Sequence, residues 1–459
     1  MYPAAGPALC SIRPLSESPA MNQPCRAQTP SSTFRRGLLM AALAGAGLLG
    51  AGAAQAADPT VPRQIVVKLL RGDSLPAVLS AHGLTLARRL GPRPLYLLRT
   101  KLTDDTAAKI AELNADPRVA FAEPNVRVRD PEARKRSVWA IGRQSDYQAQ
   151  WAPAQLGLAA AHAVNDGSGI TVAVIDTGVD FSHPALAGRL RPGFDYVDND
   201  HDPSERGSTA DPAFGHGTHV AGLVALAAPG ATILPLRVLD PAGRGTIWNV
   251  AEALLYAADP DGNPATADHA QVINLSLGTT TPTRLLDKVV ELVTCSDDDD
   301  DEDDDDYSDP GFNGDRERCD LHYGSVVTAA AGNGGNVRER QYPAAERAEG
   351  ALSVAASTEL SRVATFSNRG SWVMIAAPGE GLTSTVPGGG YGVWSGTSMA
   401  APLAAGVAAL LRAQQPDWKS VDVTKRLQDR SARLCGSWLR RIDARGALLD
   451  ENPGPTSCL

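Results

Sequence analysis

Apolar and polar positions alternate in two different patterns along the chain, and the first pattern covers residues 61–128. Short apolar runs predict strands at 64–68, 94–99 and 119–125. Between them, apolar positions at helical spacing predict helices at 74–82 and 104–114, the second capped by Thr103. This β-α-β-α-β order predicts a small α+β unit in which helices cover an antiparallel sheet.

From Trp151 onward, buried strands alternate with helices. The predicted strands are 170–175, 231–239, 272–277, 325–331 and 351–355, and the predicted helices are 218–227, 247–257, 283–293 and a long one from Ser398 through 401–413. This alternation predicts an α/β domain with a mainly parallel sheet covered on both faces. We expect this domain at 151–433, after a polar linker at 129–150 and before a tail at 434–459.

Residues 1–56 have the pattern of an export signal. Arg35 and Arg36 precede an apolar stretch rich in small residues at 37–52, which ends in Ala54-Gln55-Ala56. This order predicts a secreted or periplasmic protein that starts at Met21 and keeps no stable membrane anchor. The arginine pair also fits a twin-arginine signal. A retained anchor is the alternative that the glycine content and the cleavage-like end argue against.

The acidity of the chain comes from one segment. The net charge is -9, and residues 297–306 are an unbroken run of Asp and Glu without which the chain is close to neutral. The sequence contains no sustained basic stripe of the kind that would indicate nucleic acid as a partner. Because such a run repels itself and has nothing apolar to bury, we expect the insertion at 295–319 to be a solvated loop. Calcium binding there is the alternative.

Four cysteines follow the predicted signal, and export makes disulfides permissible. They are Cys295, Cys319, Cys435 and Cys458. Three pairings are possible. Since the first two bracket the acidic insertion and the last two bracket the tail, we favour the bridges 295–319 and 435–458. No pair has the spacing of a zinc site.

Three short motifs carry side chains suited to nucleophilic catalysis. Asp176 follows a predicted buried strand, where a turn-forming role is the alternative. His216 stands between glycines in Gly215-His216-Gly217-Thr218-His219 and opens a helix, whereas His219 is expected to be a packed structural residue. Ser398 begins the long helix in Ser395-Gly396-Thr397-Ser398-Met399, and an N-capping role explains it only when it is taken alone. Together, the three residues predict a nucleophile, its base and an orienting acid.

A polar amide adds a fourth element. Asn333 ends the predicted strand Ala329-Ala330-Ala331-Gly332. Its side chain and the Ser398 backbone N–H could donate to an oxyanion, and a turn residue before Gly334 is the alternative.

These motifs resemble those of the subtilisin-like serine proteases, over residues 151–433. The resemblance implies a doubly wound sheet of subtilisin type and a triad of Asp176, His216 and Ser398, with Asn333 as the oxyanion residue. It also implies that Leu275-Ser276-Leu277-Gly278 and Gly243-Arg244-Gly245 bind a substrate peptide as an added strand. Ala330, Ala331 and Gly332 would form the opposite wall of the pocket for the P1 side chain, the one before the scissile bond.

The unit at 61–128 is similar to the propeptide of that family, which acts as a folding chaperone and temporary inhibitor. The resemblance implies an endopeptidase that cleaves itself within 129–150. We also expect that catalysis needs no cofactor and that the enzyme is a monomer. From the small residues of the walls, we expect apolar or large uncharged P1 residues. Gln341 is a candidate for the floor of that pocket.

Structural calcium is a further expectation. Asp195, Asp198, Asp200 and Asp202 lie within one loop that resembles a calcium loop of thermitase-like members. A solvated acidic turn is the alternative.

Two other classes of function compete with the endopeptidase. A catalytically silent binding or inhibitory protein of the same fold would show a damaged triad, whereas this sequence contains all three triad residues. An esterase or lipase would show a G-x-S-x-G elbow with Ser before Asp and His, which this chain lacks.

Overall fold

The computed structural model describes residues 59–130, 138–295, 313–454, 456 and 458. The predicted export signal, residues 131–137 of the linker and the acidic run lie outside the described residues. The strands are β1 Thr60–Leu69, β2 Thr85–Arg89, β3 Leu95–Arg99, β4 Val119–Arg129, β5 Val138–Gly142, β6 Thr171–Asp176, β7 Phe194–Asp195, β8 Thr232–Arg237, β9 Arg244–Thr246, β10 Val272–Leu275, β11 Val326–Ala330, β12 Ala351–Ser357, β13 Ile375–Pro378, β14 Leu382–Val386, β15 Gly390–Trp394, β16 Ala432–Arg433 and β17 Arg440–Arg441. The helices are α1 Leu75–His82, α2 Thr106–Asn114, α3 Gln144–Ala149, α4 Trp151–Leu156, α5 Leu158–His162, α6 His216–Ala227, α7 Ile247–Ala258, α8 Arg284–Thr294, α9 Asn313–His322, α10 Thr397–Gln414, α11 Ser420–Asp429 and α12 Ala444–Leu449.

The N-terminal unit is an antiparallel sheet in the order β2-β3-β1-β4, with α1 and α2 on one face. The alternation in β1 explains the two faces: Ile65 and Val67 pack in the core shared with the helices, and Val66 packs on the other side. The predicted α+β unit is confirmed, but strand β2 was missed. The predicted cap was wrong, because Asp105, not Thr103, accepts the N–H groups of Ala107 and Ala108.

The second sheet has nine strands in the order β16-β17-β13-β12-β11-β10-β6-β8-β7. Its strands from β13 to β7 are parallel, as predicted. Helices α6 and α10 pack on one face, and α7 and α8 pack on the other. The chain leaves β6 toward β7 and β8 on one side and later returns as β10 on the other. This switch in strand order marks where ligands bind in open α/β sheets.

Residues 434–459, predicted as a C-terminal tail, include two elements that pack on the second sheet and its core. Strand β17 pairs with β13 through Arg441 and Ala376. Helix α12 buries Ala444 and Ala447 in the same core as α10. These segments are short and carry many charges, so the pattern of apolar residues did not predict them as a strand and a helix.

Two disulfides have the pairing that the sequence favoured. Cys295 bonds to Cys319, and Cys435 bonds to Cys458. The first joins the end of α8 to α9, a helix that lies partly in the segment predicted to be a solvated loop. Each bridge closes a loop of more than twenty residues, which restricts the unfolded chain.

The N-terminal unit packs against the face of the second sheet that carries α7 and α8. Phe121 and Val126 of β4 join the core on that face. The Glu123 carboxylate accepts the N–H groups of Arg284 and Leu285 at 2.9 Å, and thus caps α8 from another domain. Burial raises the pKa of Glu123, since desolvation outweighs these hydrogen bonds.

Candidate active site

Asp176 and His216 form a buried hydrogen-bonded pair at the switch in strand order. Asp176 ends β6, and His216 is the first residue of α6. His216 Nδ1 lies 2.7 Å from Asp176 Oδ1, and each side chain is 1% exposed. With Nδ1–H donating to the carboxylate, Nε2 is the nitrogen that can accept a proton.

The glycines around His216 allow this approach. A Cβ on Gly217 would lie 2.2 Å from the Gly178 carbonyl oxygen, so only glycine fits. Thr177 Oγ1 accepts the Gly217 N–H at 2.9 Å and ties the Asp motif to the His motif. The backbone of the His motif therefore packs directly against the Asp motif, and the hydrogen bond holds the two together.

Ser398 is buried in the first turn of α10, beside the end of β10. Its hydroxyl donates to the Ser276 carbonyl at 3.2 Å, and Ser276 Oγ donates to the Ser398 carbonyl at 2.9 Å. Asn274 Nδ2 in turn donates to Ser276 Oγ at 3.0 Å. The helix start that carries Ser398 is thus fixed to the strand that was predicted to bind substrate.

Asn333 lies at the same helix start. Its Oδ1 accepts the Thr397 N–H at 3.0 Å and the Thr397 hydroxyl at 3.2 Å. Thr397 Oγ1 also accepts the Gly332 N–H at 3.0 Å. Since Oδ1 is used as an acceptor, the NH₂ group of Asn333 is the part of the amide that can donate to a reacting group.

Trp394 is a site residue that the sequence did not reveal. Its ring stacks on His219 with a centroid distance of 4.6 Å, and the His216 ring lies 6.0 Å away at an interplanar angle of 29°. Burial, followed by the charge of His216, lowers the pKa of His219 to about 3. His219 therefore stays neutral and packed, as expected, and Trp394 contributes an apolar wall beside the Asp176–His216 pair.

Glu205 is the second residue that sequence reasoning missed. Its Oε2 accepts the Thr218 N–H at 3.3 Å and the Thr218 hydroxyl at 2.9 Å, in the first turn of α6. Helix α6 has glycine at its N-cap, so Glu205 supplies the side-chain acceptor that the cap lacks. Burial raises its pKa to about 7. A lone Glu in a polar loop carries no sequence signal for this role.

An extended strand already lies between the two predicted substrate segments. Residues 127–129 of β4 pair antiparallel with β9, where Val128 faces Gly245 and Arg129 faces Arg244. On the other side, Arg129 exchanges two backbone hydrogen bonds with Gly278, at 2.9 and 2.8 Å. The Gly243 carbonyl accepts the Asp130 N–H at 3.2 Å. Both segments therefore pair with the backbone of an extended strand of the same chain that lies between them.

The four carboxylates predicted to hold calcium do not fit such a site as they are arranged. Asp195 and Asp198 both accept from Arg237 Nη1, at 2.5 and 2.7 Å, and Asp195 also accepts two N–H groups of its own loop. Asp202 accepts from Ser204 and Arg206, and Asp200 accepts the Asp202 N–H. In the described part of the chain, their oxygens form no group of three close enough to share an ion.

Sequence comparisons agree with this geometry. The model of the subtilase family matches residues 167–446, and the model of the fervidolysin N-terminal prodomain matches residues 51–125. The chain therefore belongs to the subtilase family, and it is a serine protease with an N-terminal prodomain. Subtilases need no cofactor for catalysis.

Individual proteins are also similar to this chain in sequence or in structure. The chain is 35% identical to the thermophilic serine proteinase of Bacillus sp. (strain AK1), over 72% of each chain. It is 38% identical to thermitase of Thermoactinomyces vulgaris, over 58% of this chain and 82% of thermitase. The crystal structure of fervidolysin from Fervidobacterium pennivorans, a keratinolytic enzyme related to subtilisin, matches with a TM-score of 0.64 at 23% identity. That match covers 86% of this chain and 62% of fervidolysin, and it bears on the fold alone.

Among the residues that the structure describes, no helix is long and apolar enough to cross a bilayer.

Glu205→Gln should change how stability depends on pH. The folded state raises the pKa of Glu205 from 4.5 to about 7. It therefore favours the protonated form, and this stabilisation is complete below pH 4.5 and lost as the pH rises through 7. Glutamine stays neutral. Between pH 4.5 and 8 we expect the free energy of unfolding of the variant to gain about 3 kcal/mol relative to its parent.

Urea unfolding at several pH values checks this, with both proteins carrying Ser398→Ala to prevent self-digestion. Glu359→Gln, an exposed glutamate in a turn, is the control. A parallel pH dependence of Glu205→Gln and its parent would contradict the expectation.

Proposed function

We propose that this chain is a zymogen of a secreted endopeptidase, in which Asp176, His216 and Ser398 form the catalytic triad. The observation that carries the proposal is the buried Asp176–His216 hydrogen bond beside the helix start that holds Ser398. A buried carboxylate on Nδ1 fixes the tautomer in which Nε2 is the base. Serine needs such a base, since its hydroxyl is otherwise a weak nucleophile.

The steps follow from these positions. Ser398 Oγ attacks the scissile carbonyl while His216 Nε2 takes its proton, and Asp176 stabilises the imidazolium. The oxyanion accepts hydrogen bonds from Asn333 Nδ2 and from the Ser398 N–H, at the positive end of α10. His216 then gives the proton to the leaving amine, and water hydrolyses the acyl-enzyme by the reverse sequence of proton transfers.

The prodomain is proposed to act as an internal inhibitor that the enzyme removes itself. The β4 strand lies where a substrate would bind, between β9 and Gly278. Arg129 pairs antiparallel with Gly278. Ser276 lies two residues before Gly278 and contacts Ser398, so the chain that follows Arg129 would run toward the nucleophile. Cleavage within the linker at 129–150 would release residues 61–128 from the domain that begins at 151. We take the mature enzyme to be a monomer.

Export and substrates complete the proposal. The two disulfides fit an oxidising compartment, as the predicted signal at 1–56 requires. Because the cleft binds backbone as an added strand, its substrates would be unfolded segments or exposed loops of proteins. The proposal includes no calcium at Asp195, Asp198, Asp200 or Asp202, since these carboxylates already accept hydrogen bonds from arginine, serine and backbone donors.

The test is covalent labelling of the exported full-length chain with a fluorophosphonate. We expect one adduct, mapped by peptide mass spectrometry to Ser398, on a protein whose N-terminus lies within residues 129–150. Heat-unfolded protein should give no adduct, because the activated geometry is then lost. A folded, prodomain-free protein without an adduct would refute the proposal and favour a silent binding protein of the same fold.

A further inference from the structure

Two polar side chains at the end of strand β10 point into the core between the second sheet and helix α10. Val272 packs in the core that includes α10, whereas Ile273 and Leu275 pack in the core on the opposite face. Because alternate residues of a strand point to the same face, Asn274 and Ser276 face α10 together with Val272. Both are fully buried, so their polar atoms need partners within the protein.

The hydrogen bonds of these side chains form a chain with one direction. Thr328 of β11 stands beside Asn274 in the parallel register, and its hydroxyl donates to Asn274 Oδ1 at 3.2 Å. This contact leaves the NH₂ group of Asn274 to donate to Ser276 Oγ at 3.0 Å. The Ser276 hydroxyl then donates to the Ser398 carbonyl at 2.9 Å. Each bond therefore determines the direction of the next one.

The Ser398 carbonyl differs from other helical carbonyls because of a proline. In an α-helix, a carbonyl accepts the N–H of the residue four positions later. Four positions after Ser398 is Pro402, which lies inside α10 and has no N–H. The Ser276 hydroxyl takes the place of that missing donor, in a part of the helix that is fully buried. The first turn of α10 therefore depends on a donor from β10.

The first turn of α10 is held at two points, by two adjacent strands. Ser276 binds the carbonyl of Ser398, and Asn333 Oδ1 accepts the N–H of Thr397 at 3.0 Å. Attack on a peptide needs the hydroxyl and the N–H of Ser398 at fixed positions. A displacement of about 1 Å can lower a rate by about 10². The hydrogen bond from Ser276 is thus a contact through which a distant residue can affect the reaction.

We propose that Asn274 is a positioning residue for catalysis: it orients the Ser276 hydroxyl, which holds the carbonyl of Ser398. This rests on the proposed function of the site. Within the described residues, the Asn274 side chain bonds to Thr328 and Ser276 and to no atom of the triad. Its loss should therefore slow the chemical step and leave substrate binding nearly unchanged. A role in stability alone would lower the unfolding temperature and leave kcat unchanged.

The experiment measures kcat and KM of mature enzymes on a chromogenic peptide, with active sites counted by fluorophosphonate titration. Each variant is processed by immobilised wild-type enzyme, so that slow maturation does not enter the comparison. Asn274→Leu keeps the approximate shape and removes the amide, and Ser276→Ala removes the hydroxyl. We expect each to lower kcat by about 10–100-fold and to change KM less than about threefold.

Ser353→Ala is the matched control for the loss of a buried hydroxyl. Ser353 lies in β12 and is buried, and its hydroxyl donates to the Trp372 carbonyl at 2.7 Å. This variant loses the same kind of hydrogen bond as Ser276→Ala, so its unfolding temperature should also fall. Its kcat should stay within about threefold of the wild type, because the bond does not hold α10.

A double-mutant cycle tests whether Asn274 acts through Ser276. If it does, Asn274→Leu combined with Ser276→Ala should be as fast as Ser276→Ala alone, within about twofold. If Asn274→Leu does not fold, Thr328→Val takes its place, since it removes the bond that fixes the amide. It should lower kcat by about threefold or more when Ser276 is present and should have no effect in the Ser276→Ala enzyme.

Each outcome supports or overturns the proposal. An Asn274→Leu enzyme with kcat within about threefold of the wild type overturns it, as do losses that multiply in the double variant. In the substitute cycle, an unchanged kcat of Thr328→Val does the same. An equal loss of kcat in Ser353→Ala and Ser276→Ala would show a general effect of lost hydroxyls and also overturns it. A folded, prodomain-free wild type that no fluorophosphonate labels refutes the proposed function instead.

Discussion

Asp176→Asn should lower kcat/KM by about 10⁴, the largest effect expected from a substitution that leaves the nucleophile and base in place. Asp176 Oδ1 lies 2.7 Å from His216 Nδ1 and also accepts the Thr177 N–H at 2.7 Å. The asparagine fits the same space but carries no charge. It therefore neither stabilises the imidazolium nor enforces the tautomer in which Nε2 is the base.

The measurement is hydrolysis of a chromogenic peptide by the mature enzyme. Because the variant is not expected to remove its own prodomain, immobilised wild-type enzyme processes it first and is then filtered off. Asp180→Asn is the matched control, since among the described residues Asp180 accepts hydrogen bonds from Ser182 and Gly388 in a neighbouring turn. It should change kcat/KM less than threefold. An Asp176→Asn enzyme with a tenth of wild-type activity would contradict the assigned role.

The motifs could be predicted from the sequence because their constraints are local. Gly217 has to be glycine to pass the Gly178 carbonyl, and that requirement is written next to His216 itself. The same holds for the starts of α6 and α10, where the catalytic candidates coincide with helix N-termini. Short motifs with glycine at sites of close backbone approach can therefore be located without knowledge of the fold.

Partners that are distant in sequence could not be predicted in this way. Arg237 lies 42 residues after Asp195 and bonds to both Asp195 and Asp198, so two carboxylates of the loop that suggested calcium pair with a residue on another strand. Glu205 caps α6 from a loop, and Trp394 reaches the Asp176–His216 pair from β15. In each case the local pattern is polar or unremarkable, and only the sheet order brings the groups together.

Segments with many charges were missed for a related reason. Strand β2 has the sequence Thr85-Leu86-Ala87-Arg88-Arg89, which shows no clear alternation because it lies at the edge of its sheet. Arg88 is half-buried against the catalytic domain, where it pairs with Glu252 at 2.7 Å. The domain interface, rather than strand propensity, thus explains why these arginines belong to a strand.

The position of Asn333 connects the fold to the rate of the reaction. Parallel strands β10 and β11 end side by side, so Ser276 and Asn333 reach the start of α10 from two adjacent strands. Thr397 donates two hydrogen bonds to the side-chain Oδ1 of Asn333, and these bonds orient the amide before any substrate binds. A donor that is already oriented costs no reorganisation in the transition state, where it contributes most.

Asn333→Leu should therefore lower kcat by about 10²–10³ and leave KM nearly unchanged, because the lost hydrogen bond forms only in the transition state. Asn333→Asp is the more informative partner variant. It keeps an oxygen for Thr397 but loses the NH₂ donor and adds a charge of the wrong sign, so its loss should be at least as large. Asn336→Leu serves as the control, because the Asn336 Oδ1 atom accepts the N–H groups of Arg338 and Glu339 in its own loop. If Asn333→Asp kept wild-type kcat, the hydrogen bond to Thr397 would be the reason for this residue, and the oxyanion would have to be stabilised by backbone donors alone.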